Sequence, residues 1–271
     1  MKHLVLGSAG QIGGYLVKYL ENKGEEVFTY DIKSNPQQDL RKYHTALESL
    51  IKVSDIVHFL AFDVGGAKYL EKYQDTFEFI DNNIKIMDVT FNVLKKYNKP
   101  FIFASSQMSY TQDSTYGLLK LVGEKYTKSL GGMYVKFWNV YGYEETSEKS
   151  HVIPDFIKMA KENNHIKIRT TGEESRQFLY SLDCSECLYI LSQQYSNIDK
   201  SQPLHITNFK WSTIKEVAEI ISELSGCTIE TTDREDQTQK NNRQDPNDYI
   251  LNFWSPKTSL KEGIINLFEL Y

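Results

Sequence analysis

Three residue types that together move a proton on and off an alcohol stand close along this chain: Ser106, Tyr116 and Lys120. Ser105-Ser106 closes the apolar run Phe101-Ile102-Phe103-Ala104, a short β-prone stretch of the kind that forms a buried strand. Tyr116-Gly117-Leu118-Leu119-Lys120 opens a helical stretch, and positions four apart share a helix face, so phenol and ammonium point the same way. A free phenol titrates near ~10, and a neighbouring ammonium favours the phenolate. Lowering it by about three units takes roughly 4 kcal/mol, which an ammonium and a second positive charge in a partly dry site can supply. Tyr116 would then be the base that takes a hydroxyl proton as hydride leaves the same carbon, with Ser106 holding the oxygen. Tyrosine and lysine at this spacing also occur on solvated helix faces. Their meaning depends on the elements that position them.

Those elements begin at the N-terminus. Residues 2–6 read as a buried strand, Gly7-Ser8-Ala9-Gly10-Gln11-Ile12-Gly13-Gly14 as a glycine turn, and the next stretch as a helix with Tyr15, Leu16, Tyr19 and Leu20 on one face. A second strand, Glu26–Tyr30, closes on Asp31. Glycines let the backbone approach a pyrophosphate, the helix N-terminus faces its charge, and an acid at the second strand's end suits ribose hydroxyls. The glycine spacing is G-x-x-G-x-x-G rather than G-x-G-x-x-G, but strand, helix and acid all sit where a dinucleotide needs them. The Asp31 carboxylate repels a 2′-phosphate and so favours NAD over NADP; Lys33 nearby pulls the other way. Asp39-Leu40-Arg41 precedes the next helix and could touch adenine or cap that helix.

A third strand, 55–61, ends in Phe62-Asp63-Val64-Gly65-Gly66, and His58 within its apolar run reads as a packed core histidine. Helical stretches at about 67–97 and 113–130 flank the 101–105 strand, and a strand at 133–138 leads into Asn139-Val140-Tyr141-Gly142. This alternation predicts an α/β fold with a doubly wound parallel (Rossmann) sheet. After residue 142 the pattern changes: a helix from Pro154, a turn and short strand over 172–180, a strand at 203–207 returning to the main sheet, and an amphipathic helix over 213–225. The polar stretch 231–248 reads as a loop or a lid over a polar ligand. The expected division is interleaved. Residues 1–142 with about 177–208 form the dinucleotide-binding domain, and about 143–176 with 209–271 form a smaller mixed α/β substrate domain.

The composition narrows the partners. With 271 residues, 40% hydrophobic and 25% charged, the chain is that of an ordinary globular protein, and its net charge of −5 recommends neither nucleic acid nor an anionic membrane surface. No apolar run approaches a membrane span, and the N-terminus enters a strand directly, so a cytoplasmic protein without a signal peptide is expected. Cys184, Cys187 and Cys227 make no disulfide framework. The Cys184/Cys187 pair has no second pair and no histidine at ligand spacing, so no metal is expected and both read as small packing residues on a helix.

Taken together, these residues resemble the extended short-chain dehydrogenase/reductase family, in its nucleotide-sugar epimerase, dehydratase and reductase branch. The match runs from Gly7-x-x-Gly10-x-x-Gly13 through Asp39-Leu40, His58-Phe59-Leu60-Ala61, Ala104-Ser105-Ser106, Tyr116-x-x-x-Lys120 and Asn139-Val140-Tyr141-Gly142. It continues to Arg176-Gln177-Phe178-Leu179-Tyr180 and 254–263. The resemblance implies that Ser106, Tyr116 and Lys120 are catalytic. It implies that Gly7, Gly10, Gln11, Ile12, Gly13, Asp31, Asp39, Leu40, Ala61, Tyr116 and Lys120 contact NAD. Ser106, Asn139, Arg176 and Arg243 would meet a nucleoside-diphosphate sugar, the arginines on its phosphates, in what is expected to be a homodimer. Three departures refine this. Gln107 and Met108 replace the Asp-Glu pair with which the family's 4,6-dehydratases expel water. Asp63-Val64-Gly65-Gly66 is similar to the loop of GDP-mannose 3,5-epimerases and GDP-fucose synthases, which place a cysteine where Met108 stands. Lys136 replaces the arginine common before the Asn-Val-Tyr-Gly turn. The expectation is an NAD-dependent nucleotide-sugar epimerase working at C4, the alternatives being an NDP-4-keto-sugar reductase and a catalytically idle dinucleotide-binding protein.

Overall fold

The computed structural model describes residues 1–111, 113–145, 148–235 and 244–271. A six-stranded parallel sheet forms its centre, with Lys2–Leu6 (β1), Glu26–Tyr30 (β2), Ile56–Phe59 (β3), Phe101–Ser106 (β4), Met133–Phe137 (β5) and Leu204–Ile206 (β10) in the order β10-β5-β4-β3-β1-β2. The 203–207 stretch thus does return to the main sheet, beside β5. Parallel strands are covered on both faces, so their sequences run apolar without interruption and alternate residues enter opposite cores. Val5, Ile102 and Val135 pack towards Gln11–Asn22 (α1) and Ser181–Gln193 (α7), where Leu16, Leu20, Leu188 and Leu191 meet them. Leu4, Leu6, Phe59 and Phe103 face the other side, against Thr45–Val53 (α2), Phe77–Tyr97 (α4) and Thr115–Ser129 (α5).

One expectation is corrected. The stretch 67–97 is two helices, Ala67–Tyr73 (α3) and α4. The break comes at Thr76, whose side chain accepts from the Phe79 amide and so satisfies a first-turn donor of a new helix. Ile250 and Trp254 pack into the core beneath α1 and α7.

A third core gathers residues from both sides of the last sheet strand. Val152–Asn163 (α6), Ile214–Ser225 (α8) and Leu260–Phe268 (α9) contribute Ile153, Ile157, Val217, Ile221, Ile264 and Leu267. Three short pairs of strands frame it: Asn139–Tyr141 (β6) with Phe178–Tyr180 (β9), His165–Lys167 (β7) with Thr228–Glu230 (β12), and Ser175–Arg176 (β8) with Ser212–Thr213 (β11). Helix α8 starts with a full capping box, Thr213 and Glu216 each accepting from the other's backbone. Among the described residues no helix is long and apolar enough to cross a membrane.

Candidate active site

Strand order reverses at β1, which has β2 on one side and β3 on the other, and a crevice opens at its carboxyl end. Gly7 turns the chain there with φ +88°, a conformation that disfavours side chains, and a Cβ on it would lie 2.7 Å from the Ala61 amide nitrogen. A Cβ on Gly13 would overlap the Gly7 carbonyl, so only glycine lets α1 seat this close to β1. Gly10 at the helix N-cap supplies no capping side chain. The first-turn amides of α1 are therefore left for an anion.

Asp31, at the end of β2, is held against this turn. Its Oδ2 accepts from the Ala9 amide (2.9 Å) and its Oδ1 from the Lys33 amide (2.8 Å). Gln11 reaches the other way, Nε2 lying 3.3 Å from both Val140 O and Ser181 Oγ. Asp39 does not cap a helix, since α2 starts at Thr45. Its Oδ1 accepts from Arg41 N and Nε and its Oδ2 from Arg41 Nη2, and Arg41 goes on to Asn82. The guanidinium holds the Asp39 carboxyl below the usual range. Leu40, Ala61 and Ile12 line the same cleft, which has a volume of about 1800 Å³.

The cleft continues to the end of β4, where Ser106, Tyr116 and Lys120 meet. Ser106 accepts from the Met108 amide at 3.1 Å, and its side chain favours the ionised form of Tyr116. Helix α5 can approach this closely because Gly117 and Gly123 face the Met108 carbonyl and the Phe103 ring, where a Cβ would overlap. Lys120 is 3% exposed; its Nζ donates to Ala104 O at 2.7 Å and lies 3.6 Å from the centre of the Phe62 ring. The Phe62 ring in turn meets Tyr116 edge-on, centroids 5.9 Å apart.

The electrostatics differ from the sequence expectation. Burial pushes the Tyr116 phenol up to about 12, only partly offset by Ser106. Burial also brings Lys120 down to about 7, partly offset by Glu124. Both charges are disfavoured because both groups are enclosed by protein, and the Lys120 amine lies over Phe62 and is 5.8 Å from the Tyr116 ring. In the protein alone this is a neutral phenol beside an amine poised near neutrality. A further positive charge in the site would favour the phenolate.

Beneath the trio lies a buried network that explains Lys136. Its Nζ is 2.6 Å from Glu124 Oε1 and also bonds Ser109 Oγ, and the Ser105 hydroxyl donates to the same Glu124 oxygen at 2.5 Å. Lys136 and Glu124 are both at most 4% exposed, so the lysine is the partner of a buried carboxylate.

Of the residues assigned to substrate, Asn139 and Arg176 line the cleft. Asn139 Nδ2 reaches Gln177 O at 3.3 Å, which ties β6 to β9, and Arg176 Nη1 donates to Ser175 O at 2.9 Å. Arg243 and much of the 231–248 stretch lie outside the described residues. Other charged groups on the wall were not singled out by sequence. Lys149 lies 2.6 Å from Asp63, which also takes the Tyr69 hydroxyl and Asn82 Nδ2. His151 has its Nδ1 2.6 Å from Glu144 Oε1, the same carboxylate accepting its backbone amide at 2.9 Å. A histidine oriented by a carboxylate is a second group able to handle a proton here. Nothing periodic marks either residue, since both stand in the irregular segment after β6.

This geometry has a counterpart among known proteins: residues 3–207 match the NAD dependent epimerase/dehydratase family. The chain belongs to that family. A putative GDP-L-fucose synthase 2 of Arabidopsis thaliana is 25% identical over 100% of this chain and 91% of its own length. A UDP-glucose 4-epimerase of Halalkalibacterium halodurans is 23% identical over 84% of this chain and 82% of its own. The structure of an epimerase from Methanothermobacter thermautotrophicus superimposes with a TM-score of 0.85 at 20% identity, covering 99% of this chain and 91% of that one. As in this NAD-dependent family, the crevice over β1 fits a dinucleotide: backbone amides for the pyrophosphate, a fixed carboxylate at Asp31 for a diol, and no side chain where the backbone must be approached. Cys184 and Cys187 lie fully buried on α7, burial pushes both thiols well above their ordinary range, and no metal-ligating cluster occurs among the described residues.

Proposed function

We propose that this member of the family is an NAD-dependent nucleotide-sugar epimerase acting at C4. The observation that carries the reading is the Ser106–Tyr116–Lys120 cluster at the end of β4, in the same cleft as the glycine turn and Asp31. Gly7, Gly10, Gln11, Ile12 and Gly13 would hold the pyrophosphate, Asp31 the adenosine ribose, Asp39 with Leu40 the adenine end, and Ala61, Tyr116 and Lys120 the nicotinamide end. NAD, when bound, would supply the hydride acceptor and donor and a positive ring that favours the Tyr116 phenolate. Tyr116 removes the hydroxyl proton while Ser106 holds the oxygen; on re-reduction Tyr116 gives the proton back. Lys120 keeps the phenolate from being isolated in a buried site. Asn139 and Arg176 hold the sugar nucleotide, a guanidinium being suited to two phosphate oxygens at once.

Gln107 and Met108, in the 3₁₀ turn after Ser106, offer neither the acid nor the base needed to expel water. The expected product is therefore an isomer of unchanged mass. The test is incubation of the purified protein and NAD with UDP-, GDP-, dTDP- and CDP-sugars in deuterated water. Isomerisation without stoichiometric NADH and without carbon-bound deuterium is expected, because hydride stays within the site. Loss of 18 mass units, as roughly one water per sugar on elimination, or deuterium on carbon would overturn the C4 mechanism.

A second reading is one-way reduction of an NDP-4-keto sugar. The GDP-L-fucose synthase relatives that span the whole chain, and the His151–Glu144 pair in the cleft, favour it. Its sign would be consumption of one reduced cofactor per product.

A further inference from the structure

Trp138 lines the cleft between Ser106 and Arg176. Phe137 before it is the register partner of Ser106, and Asn139 after it donates its amide to the carbonyl of Gln177 (3.2 Å), the neighbour of Arg176. A sugar whose diphosphate meets Arg176 and whose carbinol meets Ser106 passes this stretch of wall. Every polar atom of Trp138 is already used within the protein. Its amide donates to Ile206 O (3.3 Å), its carbonyl accepts from the Val140 amide (3.1 Å), and its indole Nε1 donates to His205 Nδ1 (3.2 Å). What the half-buried side chain offers the cleft is therefore carbon.

The indole is held at its polar edge and against a second ring. An indole nitrogen only donates, so His205 Nδ1 is the acceptor and the imidazole proton sits on Nε2, 3.4 Å from the Tyr110 hydroxyl oxygen. His205 is 3% exposed, and burial, with the Lys136 charge adding to it, brings it down to about 4. Its Nδ1 therefore keeps a free lone pair for the indole at neutral pH. Trp211 meets the Trp138 ring edge-on, centroids 5.6 Å apart, and its own Nε1 donates to Asp245 Oδ1 at 3.0 Å. Trp211 directly precedes β11, whose Ser212 pairs with Arg176, so the two indoles and the arginine share one framework.

We infer that Trp138 is a specificity-determining residue, the apolar platform for the sugar ring of the substrate, and that His205 is the positioning residue that holds its indole in place. The inference rests on the nucleotide-sugar reading above. The face of an aromatic ring carries partial negative charge and suits the polarised C–H groups of a pyranose. Such a contact makes no directional hydrogen bond. It keeps the sugar against the wall without fixing which face turns to the cofactor, as inversion by oxidation and re-reduction requires.

Titration calorimetry on the full chain loaded with NADH, which cannot oxidise the sugar, tests this. The probes are UDP-, GDP-, dTDP- and CDP-glucose, each beside its bare nucleoside diphosphate. Trp138→Ala should weaken the sugar nucleotide that the wild type binds about tenfold and leave the bare diphosphate within about twofold. Trp138→Phe, which keeps an aromatic ring, should lose no more than about threefold. His205→Ala should weaken the sugar nucleotide about fivefold, again sparing the diphosphate, and His205→Gln, whose amide oxygen can accept from the indole, should restore it. In the Trp138→Phe background His205→Ala should change nothing, because phenylalanine has no N–H to hold. Equal losses for sugar nucleotide and diphosphate, or unaltered sugar-nucleotide binding by Trp138→Ala, overturn the platform and leave the nucleotide-sugar reading standing. A His205→Ala effect that persists in the Trp138→Phe background overturns the positioning role. Binding of none of the four sugar nucleotides by the wild type overturns the nucleotide-sugar reading, and the platform with it.

Discussion

Tyr116 carries the proposed chemistry, and the claim is separable from its packing. Tyr116→Phe keeps the edge contact with Phe62 and loses only the hydroxyl, so turnover should fall by about 10²–10⁴-fold with NAD affinity nearly unchanged. Steady-state rates and calorimetric NAD titration check both halves; retained activity would move the base elsewhere, with His151 the next candidate. Asp31 answers a different question. Its two oxygens already accept from Ala9 and Lys33, so the carboxylate is fixed in position before any ribose arrives. Asp31→Ala should weaken NAD by roughly ten- to a hundredfold and narrow the gap to NADP. A wild type that prefers NADP at equal concentrations contradicts the assignment.

Helix α5 is the element on which the site depends, and it is braced to β4 and β5 by one buried ion pair. Glu124 and Lys136 lie 2.6 Å apart with Ser105 donating to the same oxygen, so three elements converge on one carboxylate. Removing one charge strands the other. Lys136→Met should cost about 3–5 kcal/mol in urea unfolding, and Glu124→Gln combined with Lys136→Met clearly less, because a neutral pair needs no counter-ion. Equal losses in the single and double variants would show that packing alone holds α5. Activity should fall with stability only in the single variant, since Lys120 and Tyr116 ride on the same helix.

The whole molecule carries a pH dependence set far from the site. His3 on β1 and His58 on β3 stack at 5.3 Å, with Nδ1 and Nε2 3.0 Å apart. Burial brings His58 down to about 3, with His3 adding to the shift, and burial also lowers His3. Below its ordinary value of 6.5 the unfolded chain binds protons that the folded chain refuses, so stability falls as the pH drops from about 6.5 towards 3. Lys120 acts with the same sign higher up. Its folded value near 7 lies under its ordinary 10.5, so stability rises between those two values. Urea midpoints measured from pH 4 to 9 should climb throughout. His58→Leu should flatten the acid part of the curve, and an unchanged acid slope would place the effect in the carboxylates instead.

The sequence by itself determined the parallel sheet, the glycine turn with Asp31 and the placement of Ser106, Tyr116 and Lys120. These are set by local pattern: apolar runs, glycines where the backbone is crowded, and a four-residue helical repeat. The return of 203–207 to the sheet was legible for the same reason. What escaped was of two kinds. The break at Thr76 was a local signal overlooked inside a long apolar-periodic stretch. The partner of Lys136, the His151–Glu144 pair, the packing of Ile250 and Trp254 beneath α1 and α7, and the meeting of Trp138 with His205 could only be decided in three dimensions. Trp138 and His205 are 67 residues apart, and no periodicity links them. The direction of the Tyr116 and Lys120 shifts was also decided there, because it depends on how completely the folded chain excludes water from two groups whose types alone suggest mutual attraction.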